Sequence, residues 1–129
     1  LIIDDCYNAN PVSMKSSLDV LSTATGRTVA VMGDMFELGD KENELHYNTG
    51  AHAAEIGIDV ICCIGELSHH AYEGAKACAK NSSILYFKTK QDVLDKIRNV
   101  VKKDDTILVK ASHGMEFPEI IEVLRQMQF

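Results

Sequence analysis

Short apolar runs alternate with helix-like segments along the whole of this 129-residue chain. Five of the runs are rich in Val, Ile and other apolar residues, which is typical of strands buried in a parallel sheet. They span residues 1–5, 28–32, 60–64, 83–87 and 106–109. Strands that alternate with helices at this spacing form right-handed βαβ units. The sequence therefore predicts an α/β fold, a Rossmann-like three-layer α/β/α sandwich with a mostly parallel sheet of five or six strands.

The helices between these strands are placed by the helical spacing of apolar residues and by Pro and Gly near their ends. We expect helices at 12–23, at 41–56, after Gly65, at 90–101 and after Met115. The last helix should turn its apolar residues inward, namely Phe117, Ile120, Ile121, Leu124 and Met127. One domain, 1–129, accommodates all these elements. Because it starts on a strand without an initiator methionine, we expect a fragment of a longer protein.

The composition argues against several classes of protein. A net charge of −6 and a pI of about 5.3 disfavour binding to nucleic acid. No apolar run approaches the roughly 20 residues that span a bilayer, and we see no secretory signal pattern. Cys62 and Cys63 are adjacent and should point to opposite faces of the sheet. Reduced cysteines in a cytoplasmic protein without membrane insertion fit this pattern better than disulfides.

Polar residues follow three of the strands. The three strand-end loops span residues 4–11, 33–40 and 110–115. Parallel strands end at one edge of a sheet, so these loops should line a single cleft where open α/β sheets bind ligands. The acidic and amide side chains of the first loop suit a hydroxyl-rich ligand such as a ribose. The helix that follows this loop could offer free N–H groups to an anion.

Familiar nucleotide-binding motifs are absent. No G-x-G-x-x-G follows a strand, and no G-x-x-x-x-G-K-[ST] loop occurs. The acid pair Asp4 and Asp5, with a strand-end lysine, also resembles a phosphoaspartate receiver domain. That family should carry an aspartate at the end of the third strand, where this chain has Ile64 and Gly65. Independent NAD binding, a P-loop and a receiver domain are therefore all disfavoured.

Some polar residues also have purely structural interpretations. Lys110 could be a surface lysine at a strand end, and Asp5 and Asn10 could cap the first helix. The charge run 102–105 is most simply a solvated turn. The histidines show no pair at the spacing that places two metal ligands on one helical face. For Lys110, the functional and structural interpretations remain equally open on residue chemistry alone.

The three loops together resemble one family. Residues 4–14, Asp-Asp-Cys-Tyr-Asn-Ala-Asn-Pro-Val-Ser-Met, are similar to the D-D-x-Y-N-A-N-P-x-S-M signature of a Mur ligase. Residues 33–39 are similar to its G-D-M-x-E-L-G loop, and residues 110–115 to its K-G-S-R-G-M segment. Order and spacing resemble the C-terminal domain of the Mur ligases that add D-alanyl-D-alanine, over essentially the whole chain.

This resemblance implies a part of an ATP-dependent ligase of bacterial peptidoglycan synthesis. ATP would phosphorylate the carboxylate of UDP-N-acetylmuramoyl-tripeptide, and the amine of D-alanyl-D-alanine would attack the acyl phosphate. The family has three domains, and the central one carries the P-loop and most of the ligands of magnesium. The present chain would be a lid that closes over ATP and the acceptor, next to the central and N-terminal domains.

The resemblance also implies roles for individual residues of the first loop. Asp5 would contact the ribose of ATP. Tyr7, Asn8 and Asn10 would lie beside the nucleoside, where amides can both donate to and accept from an adenine edge.

A second group of residues would serve the acceptor. Lys110 would be catalytic, neutralising charge on the acyl phosphate or on the dipeptide carboxylate. Ser112 and His113 would bind substrate beside it, and Asp34 and Glu37 would flank the acceptor. No metal ligand is assigned to this chain.

Two residues depart from the family pattern. Ala111 stands at a usual glycine, which puts a close backbone approach to a ligand in doubt. His113 stands at a usual arginine and is shorter and only partly charged near neutral pH. A non-catalytic ligand-binding or regulatory α/β module, or a Mur ligase that adds a different amino acid, remain alternatives. The isolated domain is expected to be inactive because it lacks the P-loop.

Overall fold

The computed structural model describes residues 1–5, 9–112, 115 and 117–127, in which strands and helices alternate. The strands are β1 (Ile2–Asp5), β2 (Thr28–Gly33), β3 (Val60–Ile64), β4 (Ser83–Phe87) and β5 (Thr106–Lys110). The helices are α1 (Pro11–Ser22), α2 (Glu42–Glu55), α3 (Ser68–Cys78), α4 (Lys90–Val100) and α5 (Pro118–Gln126). A 3₁₀ turn, Gly39–Lys41, leads into α2. Every predicted strand and helix is therefore confirmed.

All five strands run parallel in one sheet with the order β1-β5-β2-β3-β4. In the register, Asp5 lies beside Lys110, which in turn lies beside Met32. The last strand of the chain thus lies between the first and the second. This confirms the predicted α/β class and the parallel sheet, with five strands among the described residues.

Helices cover both faces of the sheet and create two cores. One layer, α1–α2–α3, packs on the strands through Met14, Leu18, Leu21, Ala53, Ala54, Ala71 and Ala75. The other layer, α4–α5, packs through Val93, Ile97, Ile120, Ile121 and Leu124, with Phe117 fully buried beside them. The inward face predicted for the last helix is confirmed. Across the described residues, no helix combines the length and the apolar character needed to cross a bilayer.

The period of two along each strand sends neighbouring residues to different cores. Cys62 belongs to the core under α4–α5, and Cys63 to the core under α1–α2–α3. Both are free thiols, as is Cys78. Burial raises the pKa of the Cys62 thiol to about 12, so it stays protonated near neutral pH. The prediction of reduced cysteines is confirmed for these three residues.

The strand order creates a topological switch point at the end of β5. The helices that follow β1 and β2 pack in the α1–α2–α3 layer, whereas the helix that follows β5 packs in the opposite layer. The backbone therefore leaves β5 toward one face of the sheet, and it leaves the neighbours β1 and β2 toward the other face. Such a topological switch point is where open α/β sheets bind ligands.

The turn before β5 differs from the sequence prediction. Residues 102–105 were expected to form a solvated turn, but Asp105 is only 4% exposed. Its Oδ2 accepts hydrogen bonds from Arg27 at 2.8 Å and from the backbone N–H of Lys102 at 2.8 Å. The prediction is wrong for Asp105 because a distant arginine folds over it and compensates its charge.

Candidate active site at the carboxyl edge

The three strand-end loops meet at the edge where the strands have their carboxyl ends. The backbone N–H of Ser112 donates to the Asp34 carbonyl at 3.1 Å, and the N–H of Phe36 donates to Ser112 Oγ at 2.9 Å. On the side of β5 that faces β1, the Lys110 ammonium group donates to the Asp5 carboxylate. The three loops thus meet at one edge, as predicted, and we call this region, formed by Asp5 and by residues 34–37 and 110–112, the carboxyl-edge cleft.

Lys110 is the last residue of β5 and points to the same side of the sheet as Leu108. Its side chain is only 2% exposed, and its ammonium group forms an ion pair with Oδ2 of Asp5. The interpretation of Lys110 as a surface lysine is therefore wrong. A buried ammonium group requires such a charged partner to offset its desolvation.

The adjacent acids Asp4 and Asp5 separate to opposite faces, as neighbours in a strand must. Asp4 approaches Arg125 of α5 at 3.9 Å. Asp5 turns to the other face, where Oδ2 accepts from the Ser17 hydroxyl at 3.2 Å as well as from Lys110. The Asp5 side chain is still 39% exposed. Its carboxylate therefore keeps the capacity to accept a hydrogen bond from a ligand hydroxyl.

Asn10 is the N-cap of α1. Its Oδ1 accepts from the backbone N–H of Ser13 at 2.9 Å, and its own N–H donates to Ser13 Oγ at 3.1 Å. This reciprocal capping box, followed by Pro11, fixes the start of the helix. The structural interpretation of Asn10 is thus confirmed. The cap does not use the amide nitrogen, so the expected contact with a nucleoside stays a prediction.

Asp34 is buried beneath the loop that bears it. Its Oδ1 accepts from the backbone N–H of Ser68 at 2.8 Å and from the Ser68 hydroxyl at 2.7 Å, which anchors the start of α3. Gly65 allows this approach, because a Cβ there would lie 2.5 Å from both carboxylate oxygens. In this conformation Asp34 holds two loops together. Its expected role toward the acceptor stays a prediction.

Glu37 and Phe36 form the exposed tip of the loop between β2 and α2. Phe36 is 41% exposed, and Glu37 is also exposed. Glu37 adopts φ of 64°, in the left-handed region that residues other than glycine seldom enter. The carboxylate of Glu37 is accessible to a ligand, as its predicted place beside the acceptor requires.

Three of the predicted site residues, Tyr7, Asn8 and His113, lie outside the described residues. Within the part of the chain that the structure describes, no group of three or more His, Cys, Asp or Glu side chains could hold a metal ion.

Comparison with known proteins agrees with the fold. The family model for the Mur ligase, glutamate ligase domain matches residues 1–113. The chain belongs to the Mur ligase family. It is 36% identical over 125 residues, 95% of its length, to UDP-N-acetylmuramoyl-tripeptide–D-alanyl-D-alanine ligase of Bacillus subtilis. It is 32% identical over 128 residues, 98% of its length, to the corresponding ligase of Escherichia coli.

Solved structures show the same relationship. MurF from Acinetobacter baumannii superposes with a TM-score of 0.86 at 32% identity, over 98% of this chain and 28% of that one. MurF ligase from Thermotoga maritima, in complex with ADP, gives a TM-score of 0.79 at 25% identity, over 97% of this chain and 28% of that one. The chain spans 27% of the length of the B. subtilis and E. coli relatives.

Within the Mur ligase pattern, the departure at Ala111 has a simple structural outcome. Ala111 is fully buried in the core under α4–α5. A Cβ built on Gly33 would lie 2.7 Å from the Ala111 methyl and 2.5 Å from the Phe117 ring, so Gly33 leaves room for both. The methyl group of Ala111 therefore points into the core, and it does not block a ligand in the cleft.

One residue beside the cleft was not singled out from the sequence. His46 in α2 is only 1% exposed, and its Nε2 accepts from the backbone N–H of Met35 at 2.9 Å. The sequence analysis considered the histidines only for pairs at the spacing of two metal ligands. The signal that could have found it is its place on the side of α2 that also carries the buried Thr49 and Gly50.

Proposed function

We propose that this chain is the C-terminal domain of an ATP-dependent ligase that joins D-alanyl-D-alanine to UDP-N-acetylmuramoyl-tripeptide in bacterial peptidoglycan synthesis. The observation that carries the proposal is the pair formed by the buried Lys110 and the partly exposed Asp5 at the switch point of the sheet, between three loops that follow the family pattern. The relatives that bear this name, matched over nearly the whole chain, support it. The complete enzyme would act in the cytoplasm.

The nucleotide would lie against the first loop of the cleft. Asp5 has an exposed carboxylate that can accept from a ribose hydroxyl, while Lys110 and Ser17 hold it in place. Tyr7, Asn8 and the free amide nitrogen of Asn10 would contact the nucleoside. The ADP bound in the T. maritima relative supports nucleotide binding by the whole enzyme.

Lys110 would supply positive charge to the reaction. Its ammonium group is held by Asp5 and enclosed by protein, so little reorganisation is needed when negative charge develops nearby. The same charge could balance the acceptor carboxylate or the acyl phosphate. Ser112 Oγ accepts from the Phe36 N–H, which leaves its own hydrogen to donate to an anion in the cleft.

The acceptor would lie between the second and third loops. The exposed carboxylate of Glu37 would attract the ammonium end of the dipeptide, with Asp34 holding the loop beneath it. His113 and Ser112 would face the carboxylate end. Opposite charges placed at the two ends of a dipeptide fix its direction, so that its amine points to the acyl phosphate.

The domain would act as a lid on the rest of the enzyme. The P-loop, the ligands of magnesium and the site for the UDP-sugar would lie in the central and N-terminal domains. Closure would bring the carboxyl-edge cleft against the nucleotide and exclude water, because an acyl phosphate that meets water is hydrolysed instead of forming an amide.

The experiment uses the full-length protein that contains this chain, with ATP, magnesium and UDP-N-acetylmuramoyl-tripeptide. Phosphate release and product mass are followed with D-alanyl-D-alanine, with diaminopimelate and with lysine as acceptors. We expect one product, formed with the dipeptide, and no turnover by the 129-residue chain alone. Product formed with a single amino acid would indicate a different Mur ligase. ATP binding without any ligation would indicate a regulatory module, and turnover by the isolated chain would overturn the role of lid.

A further inference from the structure

His46 has two hydrogen-bond partners that together fix its protonation state. Nε2 accepts from the Met35 N–H at 2.9 Å, and Nδ1 lies 2.7 Å from the carbonyl oxygen of Glu42. A backbone N–H can only donate, and a carbonyl can only accept. The ring must therefore be neutral, with its proton on Nδ1.

These bonds hold the loop between β2 and α2 at the point where the chain leaves the core. Met35 is 1% exposed and Phe36 is 41% exposed, so the chain leaves the core between them. The Met35 N–H goes to His46, and the next N–H, that of Phe36, goes to Ser112 Oγ. Two side chains from different elements thus fix two successive amides of this loop.

The residue that follows shows that the loop is held rather than relaxed. Glu37 has φ of 64°, in the left-handed region that is unfavourable for a residue with a Cβ. Such strain persists only where the surroundings impose the conformation. The anchors at Met35 and Phe36 lie directly before Glu37 in the chain.

The helix that carries His46 is itself fixed in place. A Cβ on Gly50 of α2 would lie 1.9 Å from the Ala71 carbonyl oxygen, and a Cβ on Gly74 of α3 would lie 2.1 Å from the Tyr47 carbonyl oxygen. The backbones of α2 and α3 are therefore in close contact at two places. His46 projects from a rigid platform, which is what a precise anchor requires.

We propose that His46 is a positioning residue for the acceptor side of the cleft. Its neutral ring sets the loop at residues 34–38, and this loop orients Glu37 directly and Ser112 through the Phe36 N–H. His46 itself does not touch the substrate. The inference rests on the proposed function and deepens it, since it places the control of dipeptide binding in α2.

The test compares His46→Gln with His46→Asn in the full-length enzyme. The Gln Oε1 reaches about as far as Nε2 and can still accept from the Met35 N–H, whereas the shorter Asn can serve only Glu42. Because the buried Met35 N–H would lose its acceptor and the loop its anchor, we expect His46→Asn to raise the KM for D-alanyl-D-alanine about tenfold or more. The KM for ATP should change less than twofold in His46→Asn. In His46→Gln, the KM for the dipeptide should stay at the wild-type value.

Two further readouts separate the possible failures. Amide hydrogen exchange of residues 34–38 should accelerate in His46→Asn and not in His46→Gln, whatever the acceptor of the enzyme proves to be. Ring ¹⁵N shifts of the wild-type protein should show a neutral His46 with the proton on Nδ1, which needs no variant and so survives a variant that fails to fold.

The proposal is overturned if both variants keep the wild-type KM for the dipeptide while exchange stays slow, or if the ring carries its proton on Nε2. If the wild-type enzyme forms no product with D-alanyl-D-alanine, the proposed function fails. The hydrogen exchange then still decides whether His46 positions the loop.

Discussion

Two ion pairs at opposite edges of the sheet differ in how their acids are enclosed. At the amino edge, Asp105 has a side chain that is 2% exposed, paired with Arg27 at 2.8 Å. Arg27 also donates to the Val100 carbonyl at 3.0 Å. At the carboxyl edge, the cation Lys110 is 2% exposed, but its partner Asp5 is 39% exposed. One pair encloses its acid, and the other leaves its acid partly exposed at the carboxyl edge.

The difference teaches that burial of a charge does not by itself mark a functional site. Both pairs offset the desolvation of a buried group, which is the minimum that any folded protein must achieve. A site also needs polar atoms that a ligand can reach and a place in the fold where a ligand fits. Of these two pairs, the Lys110–Asp5 pair has the accessible acid and lies at the switch point of the sheet, where open α/β sheets bind ligands.

The largest effect is expected from Lys110→Met. Removing a preorganised cation from the reacting centre should lower kcat about 10²- to 10³-fold. Stability should change little, because the partner Asp5 is already partly hydrated. Phosphate release by the full-length enzyme measures the first effect, and thermal unfolding measures the second. Lys103→Met, at an exposed position on the other edge, is the control. A variant at Lys110 with more than half the wild-type kcat would contradict the catalytic role.

Arg27→Met should show the reverse pattern. It leaves the enclosed carboxylate of Asp105 without its guanidinium, and Arg27 is itself 30% exposed, so we expect a loss of about 2 to 3 kcal/mol in the free energy of unfolding. Urea unfolding of the 129-residue chain measures it, with the exposed Arg98→Met as control. The kcat of the full-length enzyme should stay within about twofold of wild type. A large fall in kcat with unchanged stability would remove the contrast between the two pairs.

The smallest effect concerns Asn10, where capping and ligand binding can be separated. Asn10→Ala should cost about 1 kcal/mol of stability because the cap is lost, whereas Asn10→Ser should retain the cap. If the amide nitrogen contacts the nucleoside, both variants should raise the KM for ATP about three- to tenfold. Should Asn10→Ser behave like wild type in both measurements, Asn10 is a cap and nothing more.

Much of the fold could be predicted because its signals are local. The period of two along a strand was enough to send Cys62 and Cys63 to opposite cores, and it separates Asp4 from Asp5 in the same way. The predicted helix ends lie close to the observed ones, because Pro11 and the glycines after the helices act within a few residues. The three loops could be assigned to one edge because all five strands are parallel.

The partners of the charged residues could not be predicted, because they depend on contacts between distant segments. Lys110 and Asp5 are 105 residues apart, and Arg27 and Asp105 are 78 residues apart. Lys110 meets Asp5 only because β5 inserts beside β1, and no local pattern specifies this strand order. His46 is only 11 residues from Met35, yet its role depends on the conformation of the loop between them.

The most direct test of the contrast between the two edges is amide hydrogen exchange of the full-length enzyme. Exchange would be compared with and without a non-hydrolysable ATP analogue, UDP-N-acetylmuramoyl-tripeptide and D-alanyl-D-alanine. We predict slower exchange in peptides that cover residues 3–12, 33–40 and 109–116, and no change in those that cover 24–28 and 101–106. Protection confined to the amino edge, or no protection in any of the three loops, would show that the carboxyl-edge cleft is not where this domain meets its ligands.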